Sequence, residues 1–166
     1  MQKFFPVVLL LLAACGMTKK STAAPATQNP SYLALVQADQ AQIVEISGEY
    51  KLIMTQVRPH VVIMADRPVR KAAMVDVAQF VNDWTQGNNS FQASPPNAAF
   101  LSADSVSGQQ MTPVIIEMSN PVLQDDNLTF TIKPVSTTGA ATQLPTGQMK
   151  EATVFFDNMN RTNVLF

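Results

Sequence analysis

Short runs of β-branched and aromatic residues recur along the chain and constrain its fold more than any other feature. Such runs, bounded by Pro, Gly, Asn and Asp, are typical of β-strands. The valine-rich run at 60–64 is apolar after His60, which predicts a strand buried on both faces. The predicted strands are residues 32–36, 43–46, 50–57, 60–64, 113–118, 128–132 and 152–156.

Turn residues separate two of these runs. Asn120-Pro121 and Asp125-Asp126-Asn127 lie between the runs at 113–118 and 128–132. Both groups carry residue types that favour turns. The two strands are therefore predicted to be neighbours in the sheet.

One segment has a helical period instead. Val77, Phe80, Val81 and Trp84 recur at i, i+3, i+4 and i+7, which puts them on one helical stripe. Asp76 stands at the N-cap position, and Gly87 predicts where the helix stops. The predicted fold is mainly β and sandwich-like, with seven to eight strands and one amphipathic helix over one face or end.

The N-terminus has the pattern of a secretory signal. Lys3 precedes an uncharged apolar run at 4–12, and Ala13-Ala14 supplies a small-residue site. The run is shorter than the roughly 20 residues needed to span a bilayer. Residues 1–14 are therefore predicted to be a signal peptide.

Cys15, the only cysteine in the chain, follows that run directly. Leu12-Ala13-Ala14-Cys15 resembles the bacterial lipobox, and this resemblance implies a bacterial lipoprotein with a lipid on Cys15 that inserts into the bilayer. Gly16 favours the outer membrane facing the periplasm. The alternative is an ordinary secretory signal with a leftover cysteine.

The remaining chain is predicted to form one domain behind a tether. Residues 15–31 are rich in Thr, Ala, Ser and Pro and lack apolar periodicity, which favours a flexible linker. Residues 32–166 suit a single mainly β domain. With 11 basic and 12 acidic residues the net charge is −1, which argues against nucleic acid as a partner.

Residue types exclude several chemistries. His60 is the only histidine, and a G-x-S-x-G elbow is missing from the sequence, so a Ser-His-Asp triad has little support. One histidine and one lipid-bound cysteine cannot build a zinc site. We expect neither a metal nor a cofactor.

Paired carboxylates would suffice for hydrolysis of a polysaccharide. This keeps open an enzyme that acts on cell-wall polysaccharide. The candidate carboxylates are Asp66, Asp76, Asp83, Glu117 and Asp157.

The densest polar cluster lies between the 60–64 run and the helix. Asp66, Arg67, Arg70 and Lys71 surround Pro68, which restricts the backbone of the loop. The arginine forks would suit carboxylates or phosphates of an envelope protein or an anionic cell-wall polymer. The alternative is a structural role, in which Asp66 pairs with a neighbouring arginine.

The run from ADRPVR through FVNDW, NNSF, PPNAAF and SNPVL to LTFTI resembles a set of exported bacterial domains of unassigned function. That resemblance covers most of residues 60–132 and implies no catalytic residue. The sequence therefore predicts a non-enzymatic, membrane-anchored envelope lipoprotein that binds or scaffolds another envelope component. The alternatives are the carboxylate-dependent enzyme and a small-molecule carrier.

Overall fold

A computed structural model describes residues 31–65, 70–87, 90–136, 139 and 142–157. These residues form eight antiparallel strands and one helix, so the predicted mainly β, sandwich-like class with one helix is confirmed. The elements are β1 Tyr32–Ile46, β2 Glu49–Val57, β3 His60–Ala65, β4 Ala72–Asp76, α1 Val77–Asp83, β5 Asn97–Asp104, β6 Val114–Gln124, β7 Asn127–Pro134 and β8 Gln148–Phe156.

The long first strand organises the sheet. The strand order is β2-β7-β6-β5-β8-β1-β3-β4, and an additional β1–β2 pairing closes the first six strands into a ring. At 15 residues β1 is about 50 Å long, so one of its edges accommodates two partners in succession. Residues 32–35 pair with β3, and residues 38–46 pair with β2. Strands β3 and β4 therefore extend the sheet beyond the ring.

The prediction of two strands at 32–36 and 43–46 was wrong, because β1 is continuous through the polar residues between them. Ala38 and Ala41 are both buried while Asp39 and Gln40 are exposed. Two consecutive exposed residues break the strict alternation of a strand. In the sequence, residues 37–42 therefore look like a break between two strands, although their backbone remains paired with neighbouring strands.

Two other strand predictions also need correction. Asn120-Pro121 lies inside β6 rather than in a turn, where the β6–β7 register shifts between Ser119 and Val122 and Asn120 has a φ of 49°. These features mark a β-bulge. Strand β3 is buried on one face only, since Val61 and Ile63 are buried while Met64 is 37% exposed. The predicted turn at Asp125-Asp126 is confirmed by the β6–β7 pairing of Gln124 with Asn127.

The helix lies where the apolar stripe predicts it. The Asp76 side chain accepts a hydrogen bond from the Ala78 backbone N–H at 2.8 Å and caps the helix. Val77, Phe80 and Trp84 are buried. The helix ends at Asp83, one turn before Gly87.

Aromatic rings fill the interior that the closed sheet surrounds. The Trp84 ring lies 4.8 Å from Phe91, 5.6 Å from Phe130 and 5.8 Å from both Phe80 and Phe156, measured between centroids. These distances are those of favourable tilted and edge-on ring pairs. Phe80 of α1 and Trp84, the C-cap residue of α1, thus join rings from β7, β8 and the segment after α1 in one cluster.

Candidate functional site

The structure places only part of the predicted binding cluster. Cys15, Asp66 and Arg67 lie outside the described residues. Arg70 and Lys71 are exposed and stand directly before β4. The two cations therefore adjoin the outermost strand of the sheet.

Strand β4 is an open edge, since among the described residues it pairs only with β3. The Ala65 N–H donates to the Lys71 carbonyl at 2.8 Å, and the Val77 N–H donates to the Pro59 carbonyl at 2.9 Å. Because hydrogen-bonded and non-hydrogen-bonded pairs alternate in an antiparallel ladder, residues 71, 73, 75 and 77 direct their backbone groups toward β3. Ala72 and Met74 therefore direct theirs outward, away from the sheet.

Met74 also begins a row of apolar side chains on the outer face. Direct pairings join one residue from each of six strands, and we call this set the outer apolar row. Met74 is 66% exposed, whereas the other members are half-buried. In order across the sheet, the row is Met74, Val62, Leu35, Phe155, Ala99 and Ile115.

Polar residues flank part of this row. Gln37 pairs with Thr153 on one side, and Asn97 pairs with Glu117 on the other. Leu33, Met64 and Leu101 lie beside the rest of the row and widen the apolar surface. An apolar surface with polar residues at part of its border is typical of a protein-binding surface. We use "β4 edge" for the outward backbone groups of Ala72 and Met74, the Met74 side chain, and the adjoining Arg70 and Lys71.

A cleft of about 360 Å³ opens where β1, β8 and the end of β2 meet, and Gln37 and Thr153 beside the outer apolar row form part of its lining. The Arg58 guanidinium lies 2.7 Å from the Asp39 carboxylate across it, and their side chains are 62% and 47% exposed. Solvent screens such a pair, which contributes about 0–1 kcal/mol. The polar lining is Gln37, Asp39, Arg58, Lys150, Glu151 and Thr153.

Backbone irregularities lie in the cleft lining and next to it. Glu151 has a φ of 53° and Gln56 a φ of 57°, in the left-handed region that non-glycine residues seldom adopt. The β5–β8 register shifts between Leu101 and Ala103 beside Glu151. With two acidic and two basic side chains, the cleft suits a small polar ligand of mixed charge better than a strongly anionic one.

The predicted carboxylates have different partners in the described part of the chain. Asp76 caps α1, Asp83 accepts a hydrogen bond from Gln79 at 2.8 Å, and Glu117 lies 3.3 Å from Lys133. Asp157 is exposed, and Asp66 lies outside the described residues.

The carboxylates that do share a cleft, Asp39 and Glu151, were missed by the sequence analysis. Both residues lie in polar segments that were not predicted as strands. Only the pairing of β1 with β8 makes them neighbours in the cleft.

Two carboxylates outside these surfaces have lowered pKa values. A hydrogen bond from the Lys51 ammonium, at 2.8 Å, lowers the pKa of Glu49. Hydrogen bonds from the Ser107 backbone N–H at 2.6 Å and the Ser107 hydroxyl at 2.8 Å lower the pKa of Asp104. In both cases the bonds favour the charged form.

Within the described ranges, no three His, Cys, Asp or Glu residues are grouped so that they could hold a metal ion. The same residues contain no helix of the length and apolarity required to cross a membrane. No protein-family model, curated protein or solved structure matches the chain.

Proposed function

We propose that this protein is a membrane-anchored envelope lipoprotein whose domain binds or scaffolds another envelope component without catalysis. The lipobox-like segment ending at Cys15 supports the anchor. The observation that carries the binding role is the β4 edge, where outward backbone groups, an exposed Met74 and two cations adjoin one another.

The composition of the edge favours a docking role. Sheet edges are usually protected by short strands, by charges or by proline. Strand β4 is short, but its cations precede the strand rather than interrupt it, and a methionine occupies its middle. Methionine adapts its shape to a partner and is enriched at interfaces.

The same features favour a protein partner over an anionic cell-wall polymer. Alternating N–H and C=O groups along an edge match another extended polypeptide, which would add a strand to the sheet. Arg70 and Lys71 would then attract an acidic end of that segment. An anionic polymer would bind the two cations, but it would not offer the regular row of hydrogen-bond partners that the backbone groups of Ala72 and Met74 require.

Photo-crosslinking in intact envelopes tests this proposal. A photoreactive residue at position 74 should give adducts with a protein partner, because the partner strand would lie against it. The matched control is position 106, since Val106 is 93% exposed and lies away from β4. Equal labelling from both positions, or none from position 74, would contradict the proposal.

The anchor has its own test. Metabolic labelling with a fatty-acid analogue should mark the wild-type protein, and Cys15→Ser should lose both the label and signal cleavage. Labelling that persists in Cys15→Ser would exclude a lipid on Cys15.

The second candidate is a carboxylate-dependent enzyme, and the cleft that holds Asp39 and Glu151 favours it. Hydrolysis of a glycosidic bond requires two carboxyl groups flanking the substrate. If the cleft is catalytic, Asp39→Asn and Glu151→Gln should each abolish cell-wall hydrolysis by the purified full chain while the fold persists. Equal inactivity of the wild type and both variants on peptidoglycan would dismiss this candidate.

A further inference from the structure

The partner at the β4 edge can be specified further on the basis of the proposed binding role. We infer that it is a second copy of this chain, paired antiparallel through β4 about a twofold axis that passes beside Ala73. The pairing would join the two sheets edge to edge. Three features of the described residues support it.

The backbone groups are the first feature. Ala72 and Met74 direct N–H and C=O outward from β4, as the β3–β4 hydrogen bonds require. In a register centred on Ala73, Ala72 of each copy lies opposite Met74 of the other. Each of these pairs then exchanges both of its N–H···O=C bonds, so the outward groups of Ala72 and Met74 are satisfied in both copies.

The charges are the second feature, and they select the direction of pairing. Arg70 and Lys71 precede β4, and Asp76 ends it. Antiparallel pairing places the basic end of one copy against the acidic end of the other, which brings Arg70 near Asp76 of the second copy. Parallel pairing would bring like charges together. The Asp76 carboxylate caps α1 through one oxygen, and a carboxylate has further acceptor capacity for a guanidinium.

The outer apolar row is the third feature. A twofold axis perpendicular to the sheet keeps the outer faces of both copies on the same side. The row that ends at Met74 in one copy would therefore continue into the row of the other. The long Met74 side chain would lie beside the small Ala72 of the second copy. This arrangement would cover the Met74 side chain, which is 66% exposed in the single chain.

Disulfide trapping tests this arrangement in the full, membrane-anchored chain. In the proposed register Ala73 faces Ala73 of the second copy in a non-hydrogen-bonded pair, where Cα atoms are about 4.5 Å apart. That spacing falls within the range of roughly 4.4–6.8 Å that a disulfide tolerates. Ala73→Cys should thus form a reducible dimer in an oxidising envelope, whereas the exposed control Val106→Cys should stay monomeric.

A second pair of variants keeps the inference testable if Ala73→Cys fails to fold. Met74→Pro removes the outward N–H but no hydrogen bond to β3. Met74→Leu keeps that N–H. Sedimentation of the detergent-solubilised full chain should show dimers for the wild type and Met74→Leu, and loss of the dimer for Met74→Pro.

The outcomes distinguish this inference from the proposed function. Monomeric Ala73→Cys together with adducts from position 74 to a different protein would overturn self-pairing and leave the binding role intact. Monomers in every sample and no adducts from position 74 would overturn both. A dimer that survives Met74→Pro would show that association uses another surface, and would overturn the β4 pairing.

Discussion

The closed ring of six strands and the β3–β4 extension differ in how their faces are covered. In the ring, inward side chains such as Phe130 and Phe156 are 0% exposed, because opposite strands and α1 enclose them. In the extension, the inner face of β3 is buried, while Met64 and Met74 on the outer face are exposed. The difference indicates that the ring supplies most of the stability and that the extension presents a surface.

Loss of a core ring should have the largest effect. Phe80→Ala should lower the free energy of unfolding by about 3–5 kcal/mol, because it leaves a cavity against Trp84 and Phe156. Denaturant unfolding followed by Trp84 fluorescence measures this, and native emission should be blue-shifted because Trp84 is buried. The extension offers the control: Met74→Ala should change stability by no more than about 0.5 kcal/mol. Similar losses in both variants would remove the distinction between the two regions.

Loss of the helix cap should have an intermediate effect. Asp76 joins the extension to α1, and its carboxylate accepts from the Ala78 N–H. Asp76→Ala should cost about 1 kcal/mol, whereas Asp76→Asn keeps an N-cap acceptor and should cost little. Thermal unfolding compares the two. Equal losses would mean that the charge, rather than the cap, supports this junction.

The ion pair across the cleft should contribute less. Removal of Arg58 by Arg58→Ala should cost about 0–1 kcal/mol, since its bond to Asp39 is largely solvent-exposed. The double variant Arg58→Ala/Asp39→Ala isolates the pair by a mutant cycle. A coupling energy well above about 1 kcal/mol would show that this ion pair contributes substantially to the stability of the ring.

The smallest expected effect concerns pH. Hydrogen bonds from Ser107 lower the folded-state pKa of Asp104, so its contribution to stability is present above the unfolded pKa. That contribution is lost as pH falls through the folded pKa. Asp104→Asn should therefore make the acid-side fall in melting temperature slightly shallower. Ser107→Ala keeps the backbone donor, so its acid-side fall in melting temperature should be intermediate between those of Asp104→Asn and the wild type. A fall steeper than that of the wild type in either variant would contradict this assignment.

Part of the candidate site could be predicted from neighbouring residues and part could not. The cations at Arg70 and Lys71 stand out in sequence because they cluster beside Pro68. Their position beside β4, which pairs only with β3 among the described residues, could not be predicted. Strand β4 (AAMVD) carries two alanines and only a weak strand pattern. The same weakness concealed β5, which begins Asn97-Ala98-Ala99. The cleft could not be predicted from any local pattern, since Asp39 and Glu151 are distant in sequence.

The sequence by itself determined the features that depend on residues close together along the chain. The mainly β class follows from β-branched runs such as that in β2, and the helix follows from the Asp76 cap and the stripe through Phe80 and Trp84. Only the tertiary structure decided that β1 pairs with three strands, that the ring closes, and that the outer apolar row ends at Met74. Alternation and capping are local properties, whereas strand partners and register depend on contacts between distant segments. For that reason the sequence could predict the helix and most of the strands but not the surface that they form together.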